Sequence, residues 1–266
     1  MENAAEGQVT GNAAEIYEEF FVPALFSEWS GHVVEAARLS PGQKVLDVAC
    51  GTGVLARRAL ELVQPGGAVT GLDRNDGMLA VARRKAPGIS WRSGRAESLP
   101  FDEGAFDAVV SQFGLMFFED QVGALREMWR VLRPNGRLAV AVWGPLDRFP
   151  GYAALAALLE RLFGAQIAGA LEAPFKLGDT GVLSSLFAKA DIPGVTISTP
   201  LGKVRFPSIE SWVRTEIKGW TLADVLDDAQ YETLQRESQK ELASYVQPDG
   251  VVEFAGPAHV VTAAKR

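Results

Sequence analysis

Cysteine is almost absent: Cys50 is the single one in 266 residues. One thiol excludes an intramolecular disulfide and a multi-thiolate metal site, and it fits a reducing, cytoplasmic setting. No metal is expected. Positive charge is in short supply, with 26 Lys and Arg against 33 Asp and Glu and a net charge of -7. That balance removes any global electrostatic reason to expect nucleic acid or an anionic membrane as partner, and a small or uncharged ligand fits better. Long apolar runs are also missing, since "YAALAALL" meets Glu160 and Arg161 at once, so membrane insertion is not expected. The opening "MENAAEGQVTGNAAE" lacks the cationic start and apolar centre of a secretory signal. Neither a repeat, a low-complexity tract nor a linker between independent domains is evident. What remains is a chain with 47% hydrophobic content, enough for one large core with a substantial insertion.

The apolar residues fall into an alternating plan. Residues 12–38 carry Ile16, Tyr17, Phe20, Phe21, Leu25 and Phe26, a helical pattern interrupted at Pro23. From Pro41 the character changes. Short apolar strands are predicted at 45–49, 69–72, 88–93, 106–111 and 136–143. Helical spacing separates them at 55–63, 77–85 and 121–132, the last stopping at "RPNG", which reads as a C-terminal turn. Alternating strands and helices imply a parallel sheet covered on both faces.

In such a sheet the ligand lies beyond the carboxyl ends of the strands, near the first strand-to-helix turn. That turn is "ACGTG", residues 49–53. Gly51 and Gly53 allow close backbone approach, and the following helix N-terminus offers unpaired N–H groups. The spacing Gly51, Gly53, Ala56 also satisfies a dinucleotide fingerprint, so an NAD(P)-dependent oxidoreductase has to be weighed. Asp73, twenty positions after Gly53, can accept both hydroxyls of a ribose in either case; alternatively it caps the helix that begins near Asn75. Asp47 separates the two readings. A negative charge there faces a pyrophosphate unfavourably and suits a cationic amino-acid moiety.

The ordered set "VLDVACGTG", "GLDRNDGML", "SGRAESLPF", "FDAVVSQFGLMFF" and "LRPNGRLAVAVW" resembles the class I S-adenosylmethionine-dependent methyltransferases, in the branch similar to ubiquinone and menaquinone biosynthesis enzymes. The motifs cover about residues 41–143. "AEIYEEFFVPALFSEW" resembles the aromatic N-terminal segment of that branch, and "HVVTAAKR" its last antiparallel strand. The resemblance implies an α/β, Rossmann-like, doubly wound sheet of seven strands, mostly parallel with an antiparallel last strand, plus a helical lid. It implies S-adenosyl-L-methionine as cofactor and S-adenosyl-L-homocysteine as product. Asp47, Ala49, Gly51 and Gly53 would hold the methionine portion and Asp73 the ribose. Arg74 and Met78 would flank the adenine, with Ala96 at its edge; Gln112 and Phe113 would line the pocket, and Tyr17 would close it. The family's usual acidic residue before Ala96 is Arg95 here, so the adenine amino group needs another acceptor, Glu97 or a backbone carbonyl.

Methyl transfer from a sulfonium needs no nucleophilic side chain, because the electrophile belongs to the cofactor. An oxygen or carbon acceptor can still require a general base. The two histidines, His32 and His259, are the candidates named for it, with Glu18, Glu19 and Asp120 behind them; each also has a structural reading. The expected division is an N-terminal helical cover at 1–40, a cofactor-binding core at 41–144, a lid segment at 145–178, a core continuation at 179–205, a helical lid insertion at 206–250 and a final core strand at 251–266. Both lid segments leave the carboxyl ends of their strands, where the ligand lies. One carries an apolar stripe of Tyr152, Leu155, Leu159, Leu162 and Phe163; the other carries Ile209, Trp212, Val213, Ile217 and Trp220, then Tyr231, Leu234, Leu242 and Tyr245. Such stripes serve helix packing or substrate contact. An apolar lid predicts a hydrophobic small-molecule substrate, quinone-, lipid- or natural-product-like. A noncatalytic S-adenosylmethionine-binding protein is the alternative reading.

Overall fold

The computed structural model describes residues 11–218 and 226–266. In chain order the elements are α1 (Gly11–Ile16), a π-wound helical stretch (Tyr17–Phe26), α2 (Ser27–Ala37), β1 (Lys44–Val48), α3 (Val54–Val63), β2 (Ala68–Asp73), α4 (Asp76–Lys85) and β3 (Ser90–Ser93). They continue with β4 (Phe106–Gln112), α5 (Gln121–Val131), β5 (Leu132–Trp143), α6 (Pro150–Phe163), α7 (Ala165–Glu172), α8 (Thr180–Lys189), β6 (Thr196–Ser198), β7 (Leu201–Phe206), α9 (Ile209–Lys218), α10 (Asp228–Glu241) and β8 (Val252–Ala264). Trp220, expected on the α9 face, lies outside the described residues.

The sheet runs β3-β2-β1-β4-β5-β8-β6, with β7 also on β8. The first five strands are parallel, and β8 runs antiparallel to β5, β6 and β7. Order reverses between β1 and β4, so the crevice beyond their carboxyl ends is where this topology places a ligand. Val45, Leu46 and Val48 in β1 and Val109 and Val110 in β4 are fully buried, as central parallel strands with helices on both faces must be. Asn75 caps α4 by accepting the Met78 N–H, and Asp179 caps α8 by accepting the Val182 N–H. At the far end, the Lys265 ammonium donates to the carbonyls of Trp129 and Leu132 at the end of α5, where the helix presents unpaired acceptors.

Three boundaries differ from the sequence expectation. The helix predicted to end in the "RPNG" turn stops at Val131, and β5 starts at Leu132, crossing Asn135 at φ 64 with a register shift against β4. The core continuation at 179–205, which has to supply the sixth of the seven expected strands, holds two instead, β6 and β7, separated at Thr199 and Pro200 because Pro200 has no N–H to give the ladder. That adds an eighth strand to the expected seven. Its partner β8 starts at Val252, well before the "HVVTAAKR" segment, and spans both pieces.

The helices after β5 and β7 gather on one side. α10 packs on α6 and on α9, and α9 reaches the N-terminal π-wound stretch. Trp212, Val213 and Ile217 on α9 and Leu155 and Leu159 on α6 are buried, so the stripes serve mainly to pack these helices together and onto β8. No helix among the described residues is long and apolar enough to cross a membrane.

Candidate functional site

The turn after β1 is built by glycine conformations and a half-buried indole. Ala49 (φ 58), Gly51 (φ 54) and Gly53 (φ 88) all adopt left-handed backbone, and the Cys50 N–H and carbonyl bond Leu72 and Gly53. A Cβ on Gly53 would lie 2.3 Å from the Trp91 ring, and one on Gly71 would lie 2.4 Å from it. Trp91 therefore supports the turn from β3, held by its indole N–H on the Ala86 carbonyl at 2.9 Å. Gly51 is different. Its nearest neighbour on the Cβ side is the Tyr17 ring, 3.9 Å away.

Two carboxylates sit beneath this turn. Asp73 accepts the N–H groups of Gly51 and Asn75, each at 2.8 Å, so it positions the turn rather than capping α4 itself. Burial raises its carboxyl above the usual range, and those backbone donors oppose the rise. Asp47 is 1% exposed, and neither of its carboxylate oxygens has a hydrogen-bond partner. Burial first and the Asp73 charge second push it well above the ordinary value; the Ala56 N–H pulls the other way without reaching hydrogen-bond geometry. A buried carboxylate with unmet oxygens is costly. A cationic ligand placed against it would remove that cost.

Around these groups stand the other expected residues. Tyr17 lies over the turn and stacks on Phe26 with ring centroids 5.0 Å apart; burial and the nearby carboxylates raise its phenol. Met78 and Ala96 are buried. Gln112 donates from Nε2 to the Phe26 carbonyl at 3.0 Å, tying the end of β4 to the N-terminal helix. Phe113 is held at φ 57 and stacked on Trp143, centroids 3.5 Å apart. At the outer edge Arg74 and Arg95 both pair with Glu119, at 3.5 and 2.6 Å, while Glu97 accepts the Glu119 N–H. Glu97 is thus committed to a local network, which leaves it less available to an adenine amino group.

The base candidates fare differently. His259 is buried in β8 with Nε2 donating to the Gly178 carbonyl and Nδ1 accepting from the Thr199 hydroxyl, each at 2.8 Å. Neither nitrogen has a free position for a substrate proton. His32 packs beside Trp29, centroids 5.1 Å apart. Asp120 caps α5 by accepting the Gly123 N–H. Glu18 pairs with Arg57 at 3.0 Å and Lys85 at 3.4 Å, and Arg57 also donates to the Thr52 carbonyl at 2.7 Å. That pair latches the N-terminal helix to the glycine turn.

Next to this crevice, behind Phe26 and Trp143, lies a second compartment. Its wall is Phe21, Leu25 and Phe26 from the N-terminal helix, Trp143 from β5, Phe149 and Tyr152 from the start of α6, and Leu171 and Phe175 from the segment after α7 begins. Free volume is about 30 Å³, room for no more than about two water molecules. Tyr152 and Glu216 are its ionisable members. The Tyr152 hydroxyl donates to the Glu216 carboxylate. Burial drives the Glu216 carboxyl up to about 8 and the Tyr152 phenol well above its ordinary value. Sequence reasoning missed Glu216, because one acid on an amphipathic helix reads as a solvent-facing residue; its spacing from Trp212, Val213 and Ile217 was the available signal.

Residues 46–140 match the family model described as a methyltransferase domain. Among known proteins, the demethylmenaquinone methyltransferase of Beutenbergia cavernae is 38% identical over 129 residues, 47% of this chain and 52% of that protein. The ubiquinone/menaquinone biosynthesis C-methyltransferase UbiE of Shewanella frigidimarina is 42% identical over 118 residues, 42% of this chain and 47% of that protein. This chain thus spans about half the length of the relatives it matches. Of solved structures, the YcgJ protein of Bacillus subtilis superposes with a TM-score of 0.60 at 20% identity, over 90% of this chain and 98% of that one, a likeness of fold. The matched residues 46–140 hold most of β1, the glycine turn, Asp73 and the carboxyl end of β4, so this part of the chain is similar to a methyltransferase domain.

Proposed function

We propose that this chain is an S-adenosylmethionine-dependent methyltransferase acting in the cytoplasm on a hydrophobic small molecule, quinone-, lipid- or natural-product-like, by in-line transfer beneath a helical lid. The observation that carries the reading is the adjacency of two unlike compartments. On one side of Phe26 is a crevice with a buried, unmatched carboxylate, and on the other is an aromatic cavity. A polar cation and an apolar acceptor are the partners those compartments suit.

In this reading Asp47 faces the ammonium of the methionine portion, with Ala49, Gly51 and Gly53 shaping the backbone around it. Asp73 accepts the ribose hydroxyls with the lone pairs that Gly51 and Asn75 leave free. Met78, Ala96 and Arg74 border the adenine. Its amino group goes to a backbone carbonyl, since Glu97 is engaged by Glu119 and Arg95. Tyr17, Gln112 and Phe113 close the crevice toward the acceptor. The bound cofactor supplies an electrophilic methyl group on its sulfonium; the protein supplies alignment and a dry site. Segments 145–178 and 206–250 act as the lid. With so little free volume in the cavity, an acceptor enters by parting their helices from the N-terminal segment.

The test is turnover of methyl-labelled S-adenosylmethionine with a panel of apolar hydroxylated acceptors. Label in the organic extract is expected. Tight cofactor binding with no label leaving it for any acceptor would support the binding-only alternative.

A further inference from the structure

The ionisable groups lining the aromatic cavity come from two residues on different excursions of the chain. Tyr152 enters from α6 and Glu216 from α9, and their side chains are hydrogen-bonded to each other inside the cavity wall. Both are almost wholly buried. Around them are rings: Trp212, Phe175 and Phe254 all lie within 6 Å of the Tyr152 ring, centroid to centroid. Burying a carboxylate among rings without a cation costs stability. Packing alone does not call for it, because a leucine would fill the same space.

We propose that Glu216 and Tyr152 form the acceptor-recognition pair of this site, selecting an apolar substrate that carries an ionisable hydroxyl, a phenol or enol, with Glu216 as the base that takes its proton. The inference rests on the methyltransferase reading above. The hydroxyl donates to Glu216, and the Tyr152 hydroxyl donates to the oxygen that remains. As the proton passes to the carboxylate, the electron pair left on oxygen forms the new bond to the methyl carbon. The carbon–sulfur bond breaks with its pair on sulfur, leaving a neutral thioether. Glu216 returns its proton to solvent when the methyl ether departs.

Three charged groups on the surrounding elements are turned to other partners. Glu18 on the N-terminal helix is held by Arg57 and Lys85, and Arg205 on β7 lies near Asp249 and Glu253. Arg214 on α9 itself lies over the Phe20 ring. Tyr245, between α10 and β8, donates to the Pro150 carbonyl. Burial governs the Glu216 proton, and Tyr152 is the titratable group that acts on it.

The experiment compares calorimetric binding of 1-naphthol and of its methyl ether to the full chain, with and without Glu216→Gln, Glu216→Leu and Tyr152→Phe. At pH 8.5, above the value of about 8 to which burial raises the Glu216 carboxyl, the wild-type protein should prefer the naphthol by roughly tenfold or more, the scale of a buried charge-assisted hydrogen bond. Glu216→Leu should erase the preference, Glu216→Gln should cut it to a few-fold, and Tyr152→Phe should weaken it. S-adenosylhomocysteine affinity and the melting temperature, measured on the same samples, report whether each variant is folded. Equal binding of the two compounds, binding of neither, or a preference that survives in folded Glu216→Leu protein would overturn the proposal. Loss of S-adenosylhomocysteine binding in the wild-type protein, with the naphthol preference intact, would instead overturn the methyltransferase reading and leave the hydroxyl site standing.

Discussion

Two buried carboxylates carry most of the chemical information in this molecule, and their environments differ. Asp47 sits in a polar crevice with no partner for either oxygen, whereas Glu216 sits among rings with one phenol. Replacing Asp47 by Asn keeps the shape and removes the charge. S-adenosylmethionine affinity is expected to fall by roughly tenfold or more, as for a buried charge-assisted contact, read by calorimetry on protein whose circular dichroism is unchanged. Glu216 makes a prediction about stability. Its folded carboxyl titrates at about 8 against an ordinary 4.5, so below about pH 4.5 it is protonated in both folded and unfolded states. Between there and about 8 only the unfolded chain gives up the proton, and stability falls by about 1.4 kcal/mol per pH unit before levelling off. Melting curves should therefore show Glu216→Gln gaining on the wild-type protein from pH 5 to pH 8. A difference that stays flat across that range would contradict the burial argument.

Also at the level of single residues, the glycine turn has a hidden requirement. Gly71 and Gly53 make room for the Trp91 ring, so Gly71→Ala should destabilise the protein by about 1–3 kcal/mol through overpacking. Pairing it with Trp91→Leu should recover part of that loss in urea titrations. Gly51 and Gly53 were legible in the sequence from their place after an apolar strand. Trp91 was not, because nothing in "GISWRS" says which way its side chain turns.

Among the elements, the N-terminal helix does more than cover the sheet. Its middle, Tyr17–Phe26, is π-wound and contains Pro23, and the Ser27 N–H reaches back to the Val22 carbonyl, as a residue inserted into the helix demands. This places Tyr17 over Gly51 and turns Phe21, Leu25 and Phe26 into the aromatic cavity. One segment thereby serves both compartments. Arg57 fastens it to the turn through Glu18 and the Thr52 carbonyl. Arg57→Ala should loosen the cover and weaken S-adenosylhomocysteine binding about fivefold, a loss of about 1 kcal/mol, with little change in the sheet; calorimetry and proteolysis of the N-terminal segment check it. The core strands were legible because buried parallel strands are continuous apolar runs. The break at Pro200 and the winding around Pro23 were not, since proline marks an interruption without saying what form it takes. Likewise the excursions after β5 and β7 read as helices, but their register against each other, which brings Tyr152 to Glu216, is a tertiary property.

At the scale of the whole molecule, the glycine-turn crevice and the aromatic cavity are assembled from parts far apart in sequence: the N-terminal helix, the ends of β1, β2, β4 and β5, and α6 and α9. A ligand bridging several of these parts should stabilise the fold by mass action. At a hundred times its dissociation constant the gain is about 2.7 kcal/mol, which for a chain of this size is a rise in melting temperature of about 5–10 °C. Thermal scans with S-adenosylhomocysteine should show it.

The most direct measurement is calorimetric titration of the purified protein with S-adenosylmethionine, S-adenosylhomocysteine and NADH. Saturable binding of the two sulfur compounds, with none of NADH, is the predicted result. Binding of NADH without either of them would contradict the account at its centre.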